Sequence, residues 1–238
     1  MKKVIGRTTI VERLFSLACQ GEMVLVYGPR GIGKSAVLAE VARKVRAVGK
    51  PCAVWPETET FRDVVLGLAE VYPEFLVEGR NHRQLRNAFR LAIEADPGVL
   101  GLDHFTSAGT AMKGFLLHLR RSGLGILITA EVDHPRDRAR LRGMGLTHWE
   151  VQVPPLLPQH LRVIFEEARR DFTLPHPLAE EGILALLEMT RGHPGWIRSI
   201  LERLSAPRYW SNGKVLGDLL EIDVAIEASG SARWAGQS

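Results

Sequence analysis

Apolar bursts alternate with amphipathic stretches over the first two-thirds of the chain. "MVLVYG" (23–28) is a short continuous apolar run that reads as a buried strand. "SAVLAEVARKVRAV" (35–48) follows it with apolar positions at helical spacing. "CAVW" (52–55), "GVLGLD" (98–103) and "GILITA" (125–130) give three more strands, and the alternating "THWEVQV" (147–153) a fifth. Between them lie the amphipathic "TFRDVVLGLAEVY" (60–72), "HRQLRNAFRLAIEA" (82–95) and "AMKGFLLHLRRS" (111–122). Strands that are apolar throughout need cover on both faces. Strands separated by helices supply that cover, so the pattern predicts an α/β fold: a five-stranded parallel sheet sandwiched by helices.

The pattern changes at "PPLLP" (154–158). Downstream come helical segments and no clear buried strand: "QHLRVIFEEARRDF", "LAEEGILALLEMT" and "GWIRSILERL", punctuated by Pro175, Pro177 and Pro194. The expected organisation is an α/β core over 1–153, a small helical domain over 154–205 and a C-terminal extension over 206–238. In that extension "SNG" favours a turn, "VLGDLLEIDVAIEA" a helix, and the Gly/Ser/Ala-rich end a frayed terminus.

Composition narrows the class. Of 238 residues 45% are hydrophobic and 24% charged, enough apolar material for a core without staples. The two cysteines, Cys19 and Cys52, form no CxxC pair, which disfavours a disulfide framework or zinc site and fits a reducing compartment. The start "MKKVIGRTTIVERL" has no signal-peptide apolar region and no run approaches membrane-spanning length, so the expected location is the cytoplasm, with no membrane partner. The net charge of +4 hints at an anionic partner, although many nucleotide-binding proteins are basic without one.

The stretch "YGPRGIGKS" (27–35) matches G-x-x-x-x-G-K-[ST] through Gly28, Gly33, Lys34 and Ser35, between an apolar strand and a long helix. A loop that wraps phosphates must turn several backbone N–H groups inward, which glycine permits at little cost. Pro29, Arg30, Gly31, Ile32 and Ala36 complete the wrapping segment. The following helix adds its positive end, Lys34 a point charge for the β- and γ-phosphates, and the Ser35 hydroxyl a Mg²⁺ ligand. Asp103, ending the apolar run "GVLGLD", is the second metal-side group; a helix N-cap is the alternative for it.

His104 follows Asp103 where many hydrolysing P-loop enzymes carry a glutamate that polarises water. A histidine accepts a proton near neutral pH, or simply packs. Glu131, past the fourth strand, is another candidate base, with a solvated loop acid as the alternative. Thr129, at the tip of that strand, is placed to touch the γ-phosphate or attacking water; strand packing explains a threonine equally well.

Together these parts resemble the AAA+ and STAND classes of P-loop ATPases, in the archaeal initiator-like or transposition-regulator-like branch. "IGRTTIVERL" (5–14) resembles their entry motif, which implies that Val4, Ile5, Gly6 and Arg7 lie near the adenine. "RGHPGWIRSIL" (191–201) resembles the Gly-x-Pro turn of their lid domain, which implies that 154–205 is a lid with His193 and Pro194 nearest the nucleotide. Many AAA+ proteins place a phosphate-sensing arginine a few residues on. Here Gly195 and Trp196 stand there and Arg198 comes a helical turn later, which favours the STAND or initiator-like branch. The resemblance implies ATP and Mg²⁺ as cofactors, ADP as the other nucleotide state, a homo-oligomer when ATP-bound, and an arginine finger acting in trans among Arg136, Arg138, Arg140 and Arg142. A solvated basic helix remains the plainer account of those four.

Arg83, Arg86 and Arg90 share one face of "RNHRQLRNAFRLAIEA", and Lys113, Arg120 and Arg121 add charge on the next helix. The stripe is a candidate DNA contact or an ordinary solvated face. The expected function is an ATP-binding, slowly hydrolysing nucleotide switch acting on DNA or a DNA-bound partner. The alternatives are a signalling STAND-type switch, a non-hydrolysing nucleotide scaffold and, less favoured by the Gly-x-Pro pattern, a small-molecule kinase.

Overall fold

A computed structural model describes residues 4–74, 78–146 and 149–234, with the side chains of 225 and 227–234 left aside. The chain divides into two compact units, Met1–Pro154 and Pro155–Ser238. Residues 147 and 148, the start of the expected fifth strand, and the terminal 235–238 lie outside the described residues.

The first unit is a parallel sheet of β1 (Met23–Gly28), β2 (Cys52–Trp55), β3 (Val99–Leu102), β4 (Gly125–Glu131) and β5 (Trp149–Gln152), in the order β2-β3-β4-β1-β5. All six residues of β1 are buried, as its position between β4 and β5 requires. Its side chains alternate between two cores. Met23, Leu25 and Tyr27 join Val64, Leu68, Phe89, Phe115 and Leu116 on one face. Val24 and Val26 join Leu14, Val37, Val41 and Val45 on the other. The first face is thus covered by α3 (Phe61–Val71), α4 (His82–Ala95) and α5 (Thr110–Arg121), the second by α1 (Thr8–Cys19) and α2 (Lys34–Ala47). Local chemistry starts the outer helices. Thr60 and Asp63 form a reciprocal capping box on α3, and Asn81 and Gln84 another on α4. Pro135 opens α6 (Pro135–Gly143), where its missing N–H is no loss.

The second unit has one core, built by α7 (Pro158–Arg169), α8 (Glu180–Met189), α9 (Gly195–Leu204) and α10 (Gly217–Trp234). The division differs from the expected one in its last part. Residues past 205 are not a separate extension, because Tyr209 and Leu220 are buried with Leu161, Phe165 and Leu201. A hairpin of β6 (Trp210–Ser211) and β7 (Lys214–Val215) turns through Asn212 and Gly213, both at positive φ. The Trp210 indole donates to the Leu204 carbonyl at 2.7 Å and the Tyr209 hydroxyl to Asp223 at 2.5 Å. Cys19 and Cys52 are free thiols, and no helix among the described residues is long and apolar enough to cross a membrane.

Candidate functional site

The carboxyl ends of β1, β3 and β4 meet at one edge of the sheet, where open α/β sheets place their ligands. After Gly28 the chain folds into a loop rather than continuing, and α2 begins at Lys34. Gly31 and Gly33 adopt φ of 75° and 98°, in the left-handed region that side chains with a Cβ avoid. Gly33 is the N-cap of α2 and brings no side chain to cap it, so the first N–H groups of the helix stay free for an acceptor from outside the chain. Ser35 and Ala36, in that first turn, are exposed, as is Arg30, whereas Ile32 is fully buried and anchors the loop.

Arg7 holds the loop from behind. Its buried guanidinium donates to the Ile32 carbonyl at 3.2 Å and to the Pro154 carbonyl, and burial lowers its pKa. The entry segment of Val4, Ile5 and Gly6 thus leads into an internal brace, with Gly6 at a positive φ of 69°. Lys34 bends back to donate to the carbonyls of Gly28 and Pro29, each at 2.9 Å. Burial lowers its pKa, while Glu131, Asp133 and Asp103 pull the other way.

Asp103 stands one residue beyond β3. Its N–H donates to Trp55 of β2 at 2.9 Å, and its carbonyl accepts from Thr58 at 3.1 Å. Its side chain is only 8% exposed. Oδ1 accepts the Thr129 hydroxyl and the His104 N–H, the latter at 3.1 Å. Oδ2 faces the His104 imidazole at 3.8 Å. His104 itself takes a left-handed φ of 50°, and its ring is 64% exposed. Its position is that of a solvent-facing imidazole beside a carboxylate.

Thr129 is fully buried on β4, the strand between β3 and β1, and Glu131 ends that strand opposite Gly28. Burial raises the Glu131 pKa, and so does Asp133, to which its carboxyl hydrogen-bonds. Lys34 and Arg30 counter the shift. Asp133 was not singled out by the sequence, where it is one acid among many. Thr58 was also missed: it is fully buried beside Asp103, and its hydroxyl has no hydrogen-bond partner among the described residues. The donors here are hard oxygens, a hydroxyl on Ser35 and a carboxylate on Asp103. No group of three or more His, Cys, Asp or Glu able to hold a metal occurs among the described residues. That set fits Mg²⁺, which takes few protein ligands and keeps water and phosphate oxygens as the rest.

Next to Gly28 a groove of about 460 Å³ is lined by Tyr27, Asp133, His134, Arg138, Arg142 and Gln152, among others. Arg138 and Arg142 both hold Glu150, at 2.7 and 2.6 Å, and Arg138 lies 4.8 Å from the Tyr27 ring centre. Hydrogen bonding from Arg142, then from Arg138, lowers the Glu150 pKa against the opposing effect of burial. Two of the four arginines expected as finger candidates are therefore engaged within their own chain. The exposed Arg136 and Arg140 have no ion pair or hydrogen bond among the described residues. The basic stripe narrows likewise: Arg90 is paired with Glu94 at 2.9 Å, and Arg83 and Arg86 remain exposed. His193 and Pro194 belong to the second unit, where Pro194 caps α9 and the His193 N–H donates to Thr190 at 2.9 Å.

A five-stranded parallel sheet with a glycine loop feeding an uncapped helix defines a P-loop NTPase fold. The chain belongs to the AAA ATPase domain family, whose model matches residues 3–128, more than half of its length. No curated protein matches it. Among solved structures it is similar to Cdc6p of Pyrobaculum aerophilum, with 14% identity, a TM-score of 0.62 and coverage of 86% of this chain and 62% of that one. It is similar to the Orc1 protein of Aeropyrum pernix in complex with DNA, at 17% identity and TM-score 0.59, covering 94% of this chain and 66% of that one. A STAND protein of Pyrococcus horikoshii with a tetratricopeptide repeat sensor is also similar, at 20% identity and TM-score 0.54, covering 94% of this chain and 32% of that one. These likenesses are likenesses of fold.

Proposed function

We propose that the chain is an ATP- and Mg²⁺-dependent switch that hydrolyses slowly and acts on DNA or a DNA-bound partner. One observation carries the nucleotide part: the uncapped start of α2, behind two left-handed glycines, shares a sheet edge with Lys34 and the oriented carboxylate of Asp103. In this reading the N–H groups of 31–36 wrap the phosphates, and Lys34 leaves the loop carbonyls to meet the terminal ones. Ser35 and Asp103 would hold Mg²⁺, which would supply positive charge against the phosphates. Thr129 fixes the carboxylate, and Glu131 with Asp133 lies on the side of β4 that faces Gly28. ADP is the product state and the ATP state self-associates, with Arg136 or Arg140 as the finger.

Calorimetric titration with ATP and Mg²⁺ tests the cradle: saturable binding that Lys34→Ala abolishes is expected, and no heat with either ATP or GTP overturns it. The DNA part draws on the positive net charge, on exposed Arg83 and Arg86, and on a structural neighbour that is in complex with DNA. A gel shift with duplex DNA that weakens with salt and depends on ATP is its test. No shift favours a signalling switch, the class of the signal-transduction ATPase from Pyrococcus horikoshii that this fold resembles. His104, exposed where hydrolysing relatives carry glutamate, favours a second reading, a scaffold that binds ATP without turnover. Sustained phosphate release that Lys34→Ala removes excludes it.

A further inference from the structure

Helices α4 and α5 do not close against each other along their full length. A groove of about 600 Å³ runs between them, lined by His82, Arg83, Arg86 and Asn87 from α4 and by Thr110, Ala111, Gly114, Phe115 and His118 from α5. Nothing in the nucleotide reading uses it. The groove is set up in three ways. The His82 ring stacks on Phe61 at 4.0 Å and 14°, and Phe61 packs edge-on against Phe115, so the imidazole is held in place. His118 lies against the Arg86 backbone, and its Nε2 is buried without a partner among the described residues. The guanidinium groups of Arg83 and Arg86 have no ion pair or hydrogen bond among the described residues, in contrast to Arg90 on the same helix.

Gly114 is the fourth feature. It sits in the interior of α5, where glycine costs about 1 kcal/mol relative to alanine. A Cβ placed there would meet nothing within 4 Å, so no packing constraint explains it. Gly114 lines the groove, so a large side chain at this position would occupy part of it. At the mouth, α5 starts after Gly109 with no side-chain cap, and its first residues Thr110 and Ala111 line the cavity.

We propose that this groove is an anion site for a phosphate ester, held by Arg83 and Arg86 and received by His82, Asn87, Thr110 and His118. The chemistry suits a phosphate oxyanion: guanidinium forks, amide and hydroxyl donors, and two imidazoles that donate when protonated. Burial, then the charges of Arg86, Arg90 and Arg121, lower the His118 pKa in the free protein, and an anion that offsets those arginines would raise it. The phosphate can come from a nucleic-acid backbone or from a small phosphorylated compound. The site stands on its own geometry and does not depend on nucleotide binding at the α2 cradle.

The test follows the His82 and His118 ring signals by NMR in the full chain at low ionic strength. Inorganic pyrophosphate is one probe and a short DNA duplex the other. The Lys34→Ala variant serves as background so that the cradle does not compete. Saturable shifts of both rings are expected, weakened about tenfold by Arg86→Gln and lost in Gly114→Leu. Duplex binding that displaces pyrophosphate identifies the backbone as the source, with the salt slope falling by about 1 for each arginine removed. Pyrophosphate binding indifferent to duplex identifies a small ligand. Rings that move with neither probe, or shifts unchanged in both Arg86→Gln and Gly114→Leu, overturn the proposal. A failure of ATP binding would appear in calorimetry on the native chain and leave these signals untouched.

Discussion

The Thr129 hydroxyl donates to Oδ1 of Asp103, joining the tips of β4 and β3. The backbone N–H of His104 reaches the same oxygen at 3.1 Å, so the carboxylate is fixed in rotation and Oδ2 is left the less engaged oxygen. Thr129→Val keeps the shape and removes the donor. Asp103 is nearly buried, so the loss is expected to cost about 1–3 kcal/mol of stability. Mg²⁺-dependent phosphate release should fall about tenfold or more as the carboxylate swings. Thr129→Ser should restore both. Denaturant unfolding and phosphate release measure the two effects, and a Val variant equal to native in both removes Thr129 from its orienting role.

Arg7 makes a second prediction. The resemblance implied a place near adenine, and in the structure the side chain bridges the Ile32 and Pro154 carbonyls. A lysine offers one nitrogen where the guanidinium uses two, Nη1 for Pro154 and Nη2 for Ile32. Arg7→Lys is expected to lose about 1.5–3 kcal/mol and to weaken ATP binding through a looser loop. Hydrogen exchange across 29–36 should quicken in the variant. Unchanged protection there would show that the brace does not stiffen the cradle.

Four strands of the sheet were readable as apolar runs, 23–28 most plainly, while β5, where only Val151 is buried, showed as an alternation. The hairpin at 210–215 was not, because strands of two residues are too short to show a period, and only "SNG" marked the turn. Lys34, Ser35 and Asp103 were legible as candidates, the first two from the spacing of the glycine loop and Asp103 as the acid that ends an apolar run. Asp133 and Thr58 were not: their places follow from how strands end beside one another, which the pairing register sets and local sequence does not. The arginines of α6 look alike in sequence, and only their distance to Glu150 separates those with an internal task.

Glu131 gives a pH-dependent outcome. Burial and Asp133 raise its pKa above 4.5, so the folded chain keeps this proton to higher pH than the unfolded chain. The unfavourable contribution is absent below pH 4.5, grows through the window between that value and the folded pKa, and is complete above it. Glu131→Gln is therefore expected to be slightly more stable than native at neutral pH, by under about 1 kcal/mol, since the residue is exposed and solvent screens it. The two proteins should converge as pH falls to 4.5. Urea midpoints measured across that range check the sign, and a gain that persists in acid contradicts it.

Gly192 explains one half of the Gly-x-Pro turn. Its φ is +83°, and a Cβ there would stand 2.4 Å from the Pro155 Cβ, where the Leu156 N–H donates to the Gly192 carbonyl at 2.8 Å. The backbone at the start of the second unit passes directly over this glycine. Gly192→Ala must shift one of two backbone segments and also bear a left-handed φ, a cost of about 2–4 kcal/mol. Hydrogen exchange should rise across 155–220 and stay native in the sheet. Native-like protection in the second unit would mean that the crossing yields without cost.

Along α6, Arg138 and Arg142 lie four apart and both grip Glu150, while Arg136 and Arg140 lie about 200° around the helix and stay exposed. A finger must leave its own chain and meet phosphoryl charge in a neighbour, so the uncommitted pair is the one to test. In the proposed ATP-bound assembly, Arg136→Ala or Arg140→Ala is expected to lower turnover by about 10³ or more with ATP affinity unchanged. Arg138→Ala and Arg142→Ala should act instead on stability, by loosening Glu150. Mixing makes the distinction sharper. A Lys34→Ala subunit lacks its own cradle but still carries its arginines, so adding it to an inactive arginine variant should restore turnover at the neighbour's intact site. If neither exposed arginine lowers turnover, or mixing restores none, α6 supplies no finger and its charges serve only the contact with Glu150 and the solvent.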